Sequence, residues 1–259
     1  MIDFHTHILP NVDDGSNCIS ETIALLKEAK RAGFETVILT PHYIESYYET
    51  NVNERIKLIS SIKEILNENK IDIKLILGNE IYITDNINEL IKAKKACTIN
   101  NTRYVLFELP FNTNPINLYE LIYDILQNGY IPILAHPERY EFVQQNPRII
   151  NDLLEKGVLM QGNYGSFVGQ YGEKAQIIIK KLLKNNMIHF LGTDVHRKNI
   201  IYNKIPKILF DMEKFIGAEQ LEQITTINPK LVLEDKLIEI ENQEELYLSI
   251  IDKLIMRMK

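Results

Sequence analysis

The feature that most restricts the fold is a repeated pairing of a short apolar run with a histidine or carboxylate at its C-terminal end. The opening segment Ile2-Asp3-Phe4-His5-Thr6-His7 is followed by runs at residues 36–40, 73–77, 103–107, 131–135, 158–161 and 188–191, with mostly helical patterns between them. Short β-branched runs alternating with helices mark βα units, which lay strands into a parallel sheet or barrel. In such folds all strand C-termini share one face. Every run except the sixth presents a candidate ligand there: His5 and His7, His42, Glu80, Glu108, His136, then Asp194 and His196, with Asp14 on the first loop. Residues placed at random would not all choose one end. The remaining histidine, His189, precedes the body of its run, so it is expected at the opposite end with a structural role or none.

A chain of 259 residues with 45% apolar content can bury a sizeable core as a single α/β barrel. Its formal charge of −6 disfavours a nucleic-acid partner, because phosphate backbones are bound by clustered Lys and Arg. Cys18 and Cys97 are too few for a disulfide framework and suit a reducing cytosol. No signal segment is visible and no apolar run approaches the ~18 residues that span a bilayer. A cytoplasmic protein without stable membrane insertion is therefore expected.

Along the chain, Ser20 is the expected cap of a first helix with Ile23, Leu26, Ala29 and Phe34 at apolar positions. A long helix is expected over 52–69, with Ile56, Ile59, Ile62 and Leu66 on one face, and further helices over 115–127 and 147–155. From residue 203 onward the pattern is helical. Residues 1–240 read as one barrel domain, and 241–259 as an amphipathic helix, apolar at Leu246, Ile250, Ile251, Leu254 and Ile255. That helix is expected to pack on the barrel or to support a homo-oligomer.

His5 and His7 are two residues apart and so project the same way from an extended segment. Five histidines and four carboxylates exceed the ligand set of one ion, and packed carboxylates repel unless cations lie between them. Two or three divalent metal ions are implied, with manganese, iron or zinc all suited to imidazole and carboxylate. Asp13, Glu45 and Asp85 read instead as caps or solvated loop acids. Such a cluster brings the pKa of a bound water to about 7 and clamps the oxygens of an in-line displacement. Phosphoester hydrolysis follows, with Asp14, His42 and His196 as candidates for the general acid.

Arg139, three residues past His136, reaches the same mouth and can hold two phosphate oxygens, or else pair with Glu138 or Glu141. Tyr43, Tyr47, Tyr48 and Tyr164, on loops expected at that mouth, can pack on an aromatic substrate ring, although Tyr47 and Tyr48 read more simply as surface tyrosines. Cys97 and Arg103 have the Cys-x5-Arg spacing of the thiol phosphatases. The residues between them contain no glycine, and a strand rather than a helix follows.

Taken in order, Asp3-Phe4-His5-Thr6-His7-Ile8-Leu9-Pro10 with Asp13-Asp14-Gly15, Thr40-Pro41-His42, Gly78-Asn79-Glu80, Phe107-Glu108, Ala135-His136-Pro137-Glu138-Arg139-Tyr140, Gly165-Ser166 and Thr193-Asp194-Val195-His196 span most of the chain. In these motifs it resembles the PHP superfamily, and within it the metal-dependent protein-tyrosine phosphatases of bacterial capsule and exopolysaccharide synthesis, the CpsB/CapC type. The resemblance implies a distorted (β/α)7, TIM-like barrel and a three-metal centre, usually manganese-activated. By analogy His5, His7, Glu80 and Asp194 hold one ion, Glu80, Glu108 and His136 a second, and Asp14, His42 and His196 a third. Arg139 binds the phosphate, with Arg197 in the place of a second family arginine, and the usual partner is the phosphorylated tyrosine-rich tail of a polysaccharide-assembly kinase. A small-molecule phosphatase such as histidinol-phosphate phosphatase, a nuclease and a non-catalytic kinase-docking scaffold are the other readings.

Overall fold

The structure, a computed structural model, describes residues 1–238, 246–248, 252, 255 and 256. Its strands are β1 (Ile2–Thr6), β2 (Thr36–Leu39), β3 (His42–Tyr43), β4 (Lys74–Leu77), β5 (Glu80–Tyr82), β6 (Tyr104–Glu108), β7 (Ile131–Ala135), β8 (Leu159–Asn163) and β9 (Phe190–Gly192). All pair in parallel, in the orders β1-β2-β4 and β3-β5-β6-β7-β8-β9. β2 and β3 are halves of one stave broken at Thr40-Pro41, and β4 and β5 are halves of another broken at Gly78-Asn79. Nine segments thus make seven staves, the number expected.

A bridge between Thr6 and Val195 joins the first stave to the last. There the His7 N–H donates to the Val195 carbonyl at 3.0 Å and the Asp194 N–H to the His5 carbonyl at 2.9 Å. The fold is the distorted (β/α)7 barrel.

The two broken staves lie side by side, and the cause is local. Pro41 has no N–H to give a ladder. The Asn79 side chain fills in, donating to the Pro41 carbonyl at 2.8 Å while accepting the Cys97 N–H at 2.9 Å. The breaks bring His42 and Glu80 into register as neighbours.

Burial follows the layers. Ile2, Phe4, Ile38, Ile76, Leu106, Ile133, Leu159 and Phe190 come from staves all round the barrel and form one apolar cluster, as only its interior allows, with Phe4 stacked on Phe190 at 4.1 Å. A larger cluster joins the outer strand faces to the surrounding helices. The first helix, Ile19–Arg31, is capped at Cys18 without a side-chain bond, so Ser20 lies inside the helix and is not its cap. The helix Val52–Glu68 opens with an Asn51 and Glu54 capping box, and it buries Arg55, Ile59, Ile62 and Leu66. Ile56, expected on that face, is 49% exposed.

Of the C-terminal amphipathic stretch, Ile250, Ile251 and Leu254 lie outside the described residues. Leu246 is buried on the large cluster, and its N–H donates to Asn151 Oδ1 at 3.1 Å. Arg148 lies over the Tyr247 ring at 5.4 Å.

Candidate metal centre

The barrel brings all nine expected ligand residues to its carboxyl rim. His5 Nε2 and His7 Nε2 stand 2.9 Å apart, and Glu80 Oε2 is 3.2 and 3.3 Å from them. Asp194 Oδ1 lies 3.8 and 3.4 Å from the same two nitrogens. The other ring nitrogens decide what these contacts mean. His5 Nδ1 is 2.7 Å from Gln161 Oε1, and Gln161 Nε2 donates to the Gly162 carbonyl and to Asn163 Oδ1, so Oε1 is the accepting end of that amide. His7 Nδ1 is 2.7 Å from Asp13 Oδ2. In their neutral forms both imidazoles therefore carry the proton on Nδ1 and turn bare Nε2 lone pairs toward each other and toward two carboxylates. In those neutral forms four acceptors converge with no proton between them, a state that a cation in their midst would favour. Two donor atoms bonded at ~2.1 Å to one cation at right angles sit about 3 Å apart. The residues present fit a divalent ion.

Two further groups share these atoms. His42 Nδ1 is 3.0 Å from Glu80 Oε2 and 2.9 Å from Glu108 Oε1, while His136 Nε2 is 2.7 Å from Glu80 Oε1. At the outer rim Asp14 Oδ1 is 3.3 Å from His196 Nε2 and 3.7 Å from His42 Nε2, and His7 completes that set. His42 Nδ1, Glu80 Oε2 and His136 Nδ1 are buried without a conventional hydrogen-bond partner. Buried polar atoms left without a well-aligned partner are costly unless an ion or water satisfies them.

Charge in the protein alone is strongly coupled. Burial disfavours the imidazolium of His5, yet Glu80 and Asp194 outweigh it and push its pKa up to about 9. His42, half-buried beside Glu80 and Glu108, is pushed up to about 12 by the same competition. Asp14, hydrogen-bonded to His196, is lowered to about 2. Acids and imidazoles here hold each other in charged forms, the electrostatic setting in which cations displace protons.

Local backbone geometry reflects the demand. His136 has φ 34° and Asp194 φ 52°, left-handed values that carry strain for residues with a Cβ and that cluster at functional sites. Gly15 packs against the loop from His7, where a Cβ would collide with the His7 carbonyl oxygen. The Asp3 carboxylate, buried beneath the rim, accepts from the Thr193 N–H and hydroxyl at 2.8 and 2.7 Å and from Tyr202 at 2.8 Å, which fixes the turn that carries Asp194.

Arg139 Nη1 donates to Asp194 Oδ2 at 2.5 Å, and Asn163 Nδ2 donates to the same oxygen at 2.9 Å. Arg139 pairs with neither Glu138 nor Glu141. Glu138 is buried and accepts from the Asn163 N–H at 3.0 Å and from Ser166 Oγ at 2.6 Å. The cleft above the cluster, about 640 Å³, is lined by Asp14, His42, Glu80, Glu108, His136, Arg139, Asp194 and His196 together with Tyr47, Tyr48 and Phe111.

Several expected contacts are corrected by this geometry. Tyr43 is 2% exposed and packs in the apolar core, and Tyr164 is wholly buried edge-on to Phe34, so neither reaches a substrate. The tyrosines at the cleft are Tyr47 and Tyr48, which had read as ordinary surface residues; Tyr48 lies parallel to the His42 ring at 6.1 Å. Arg197 donates to the backbone carbonyls of Gly15 and His196 and braces the first loop. It does not line the cleft.

Asp13 lies on the first loop but is not solvated: it orients His7 and accepts the His42 N–H at 3.0 Å. Gln161 and Asn163, on the stave without a candidate ligand, were missed, although their place at a strand end was a usable signal. The thiol route finds no support. Burial raises the Cys97 thiol to about 11, and Arg103 pairs with Asp235 at 3.0 Å. His189 is buried with Nδ1 accepting the Met160 N–H at 3.0 Å, away from the cleft.

The family model of capsular polysaccharide synthesis proteins, CpsB/CapC, matches residues 1–234. The chain belongs to this family. It is 35% identical over 239 residues to the putative tyrosine-protein phosphatase CapC of Staphylococcus aureus, covering 92% of this chain and 93% of the relative. It is 32% identical over 238 residues to the tyrosine-protein phosphatase YwqE of Bacillus subtilis, with the same two coverages. A solved structure from work on YwqE of Bacillus subtilis and CpsB of Streptococcus pneumoniae, described as metal-dependent tyrosine phosphatases, superimposes with a TM-score of 0.90 at 30% identity over 96% of this chain and all of the other. Among the described residues, this CpsB/CapC member has no helix long and apolar enough to cross a membrane.

Proposed function

We propose that this chain is a metal-dependent protein-tyrosine phosphatase, and that His5, His7, Asp14, His42, Glu80, Glu108, His136, Asp194 and His196 hold two or three divalent ions, manganese foremost. The observation that carries the reading is the convergence of bare His5 and His7 lone pairs on Glu80 and Asp194 beside Arg139. The names borne by the relatives point the same way.

Bound cations supply Lewis acidity that activates water and offsets charge on the phosphoryl oxygens. The chain's own residues do the rest. Asp194 divides its carboxylate, Oδ1 toward the histidines and Oδ2 toward Arg139, so the ligand set and the phosphate-binding arginine are aligned through one side chain. Arg139 brings further planar N–H donors to two phosphoryl oxygens. A phenol leaves with a pKa near 10, lower than an alkyl alcohol, so it needs less proton donation. His42 and His196, with Asp14 between them, form the outer rim, and a ring nitrogen there that no cation engages would hold a proton for the departing phenolate. Tyr47, Tyr48 and Phe111 give the cleft walls suited to an aryl ester and its flanking peptide. The substrate proposed is the phosphorylated tyrosine-rich tail of a polysaccharide-assembly kinase in the cytoplasm.

The test is hydrolysis of a phosphotyrosine peptide by the chelated protein before and after manganese is restored, with phosphoserine peptide and histidinol phosphate as competitors. Restored activity with preference for phosphotyrosine is expected. Undiminished turnover after exhaustive chelation, or preference for histidinol phosphate, would overturn the reading.

A further inference from the structure

The turn that follows β8 reaches back to the cleft through one ring. Tyr171 places its face 4.3 Å from the guanidinium carbon of Arg139, and the Phe111 ring lies 4.7 Å from the same carbon. The two rings come from different loops. Phe111 follows β6, where its carbonyl accepts the Glu141 N–H at 2.9 Å and its ring stacks on His136 with centroids 5.5 Å apart. Tyr171 lies against Gly165, where a Cβ would fall 3.1 Å from the Tyr171 ring, so the small residue makes room for it. Its hydroxyl interacts with the Asn163 side chain, which in turn holds Asp194.

A guanidinium is planar, with all its N–H donors pointing outward in that plane, so aromatic faces can grip it while leaving its edge for anions. A long arginine chain otherwise loses much rotamer freedom when it orders on a ligand. We propose that Phe111 and Tyr171 are positioning residues that clamp Arg139 and hold its edge toward the cleft before substrate arrives. The proposal rests on the reading of Arg139 as the phosphoryl ligand. The clamp acts on phosphate binding more than on the bond-breaking step.

The experiment uses the manganese-loaded full chain and three variants, Tyr171→Leu, Tyr171→Phe and Phe111→Leu. KM for a phosphotyrosine peptide and the inhibition constant of inorganic phosphate are measured, and the Arg139 Nε–Hε signal is followed by NMR on protein free of paramagnetic metal, assigned with Arg139→Lys. The two leucine variants are expected to raise both constants about tenfold, with kcat changing less, and to move the ring-shielded signal toward that of free arginine. Tyr171→Phe, which keeps the ring, is expected to stay within about twofold of the parent. Constants unchanged in both leucine variants, or a Tyr171→Phe defect equal to that of Tyr171→Leu, would overturn the clamp. If Tyr171→Leu does not fold, Phe111→Leu on its partly exposed loop decides. If the parent hydrolyses no phosphotyrosine, the functional reading fails by itself; an Arg139 signal that Phe111→Leu leaves in place refutes the clamp in either case.

Discussion

At the carboxyl end of the barrel His5, His7, His42, His136 and His196 each stand 2.7–3.3 Å from a carboxylate oxygen, whereas His189, toward the amino end, pairs with no acid among the described residues. Burial is shared by His5 and His189, and it disfavours the charged ring in both. The outcomes are opposite: Glu80 and Asp194 push His5 up to about 9, while His189, with burial unopposed, falls to about 4. The difference teaches that the rim is a designed concentration of charge, and that the same side chain behind it is a neutral piece of the core.

Glu80 should break the rim most completely, because its two oxygens meet His136, His5, His7 and His42. Glu80→Gln keeps the volume and removes the charge. Activity is expected to fall by about a thousandfold or more, together with bound manganese measured by mass spectrometry. His189→Gln should retain metal and turnover. Equal losses in the two variants would erase the contrast between the ends.

A step smaller is expected from the groups behind the ligands. Gln161→Leu removes the acceptor that fixes the His5 proton on Nδ1, and Asp13→Ala does the same for His7 while releasing the His42 N–H. Each should weaken manganese affinity by roughly ten- to a hundredfold, as partners of ligating histidines generally do. Titration calorimetry on the chelated protein measures it. Affinity unchanged in both would mean that the ligands hold their own orientation.

These two sets of residues also mark what was legible in the chain. The nine rim residues could be placed together because a parallel barrel gathers strand ends at one rim, so a histidine or acid after an apolar run has an address. Asp13 had the same address, but beside Asp14 in a polar loop nothing in the sequence separates an acid that orients a histidine from a solvated one. Gln161 and Asn163 are amides, which serve equally as caps and turns, and only their contacts with His5 and Asp194 distinguish them. Tyrosines were the least readable. The left-handed turn at Ser46 (φ 63°) carries Tyr47 and Tyr48 to the cleft, while Tyr43 lies in the two-residue strand β3 and is buried. Broken staves were invisible because a seven-run pattern does not reveal that Pro41 and Asn79 interrupt adjacent strands at one level.

Within the rim itself the outer group should matter less than the floor. Asp14 has a side chain 53% exposed, against none for Glu80, so water can replace its oxygen when it is lost. Asp14→Asn is expected to lower kcat by about tenfold and to leave the metals bound by Glu80 in place. A loss as deep as that of Glu80→Gln, with all metal gone, would show that floor and rim load as one unit.

The smallest effect belongs to His189 and leaves activity untouched. Its pKa in the folded chain, about 4, lies below the ordinary 6.5, so the unfolded chain takes the proton first as pH falls. The associated stability is complete above 6.5, declines as pH drops toward 4, and amounts to about 3 kcal/mol at most. Asp3 acts in the reverse sense: burial raises its pKa to about 6 from 3.8, so the fold gains from its protonation over part of the same range. Melting of the parent alone therefore mixes several slopes, those of the rim groups included, and the gap between parent and His189→Gln isolates the histidine. That variant keeps an acceptor for the Met160 N–H and cannot take up a proton. It should melt below the parent at pH 7.5, with the gap closing by roughly 5 °C at pH 4.5. A gap that stays constant with pH would mean that His189 titrates alike in both states, and the contrast between the two ends of the barrel would then rest on geometry alone.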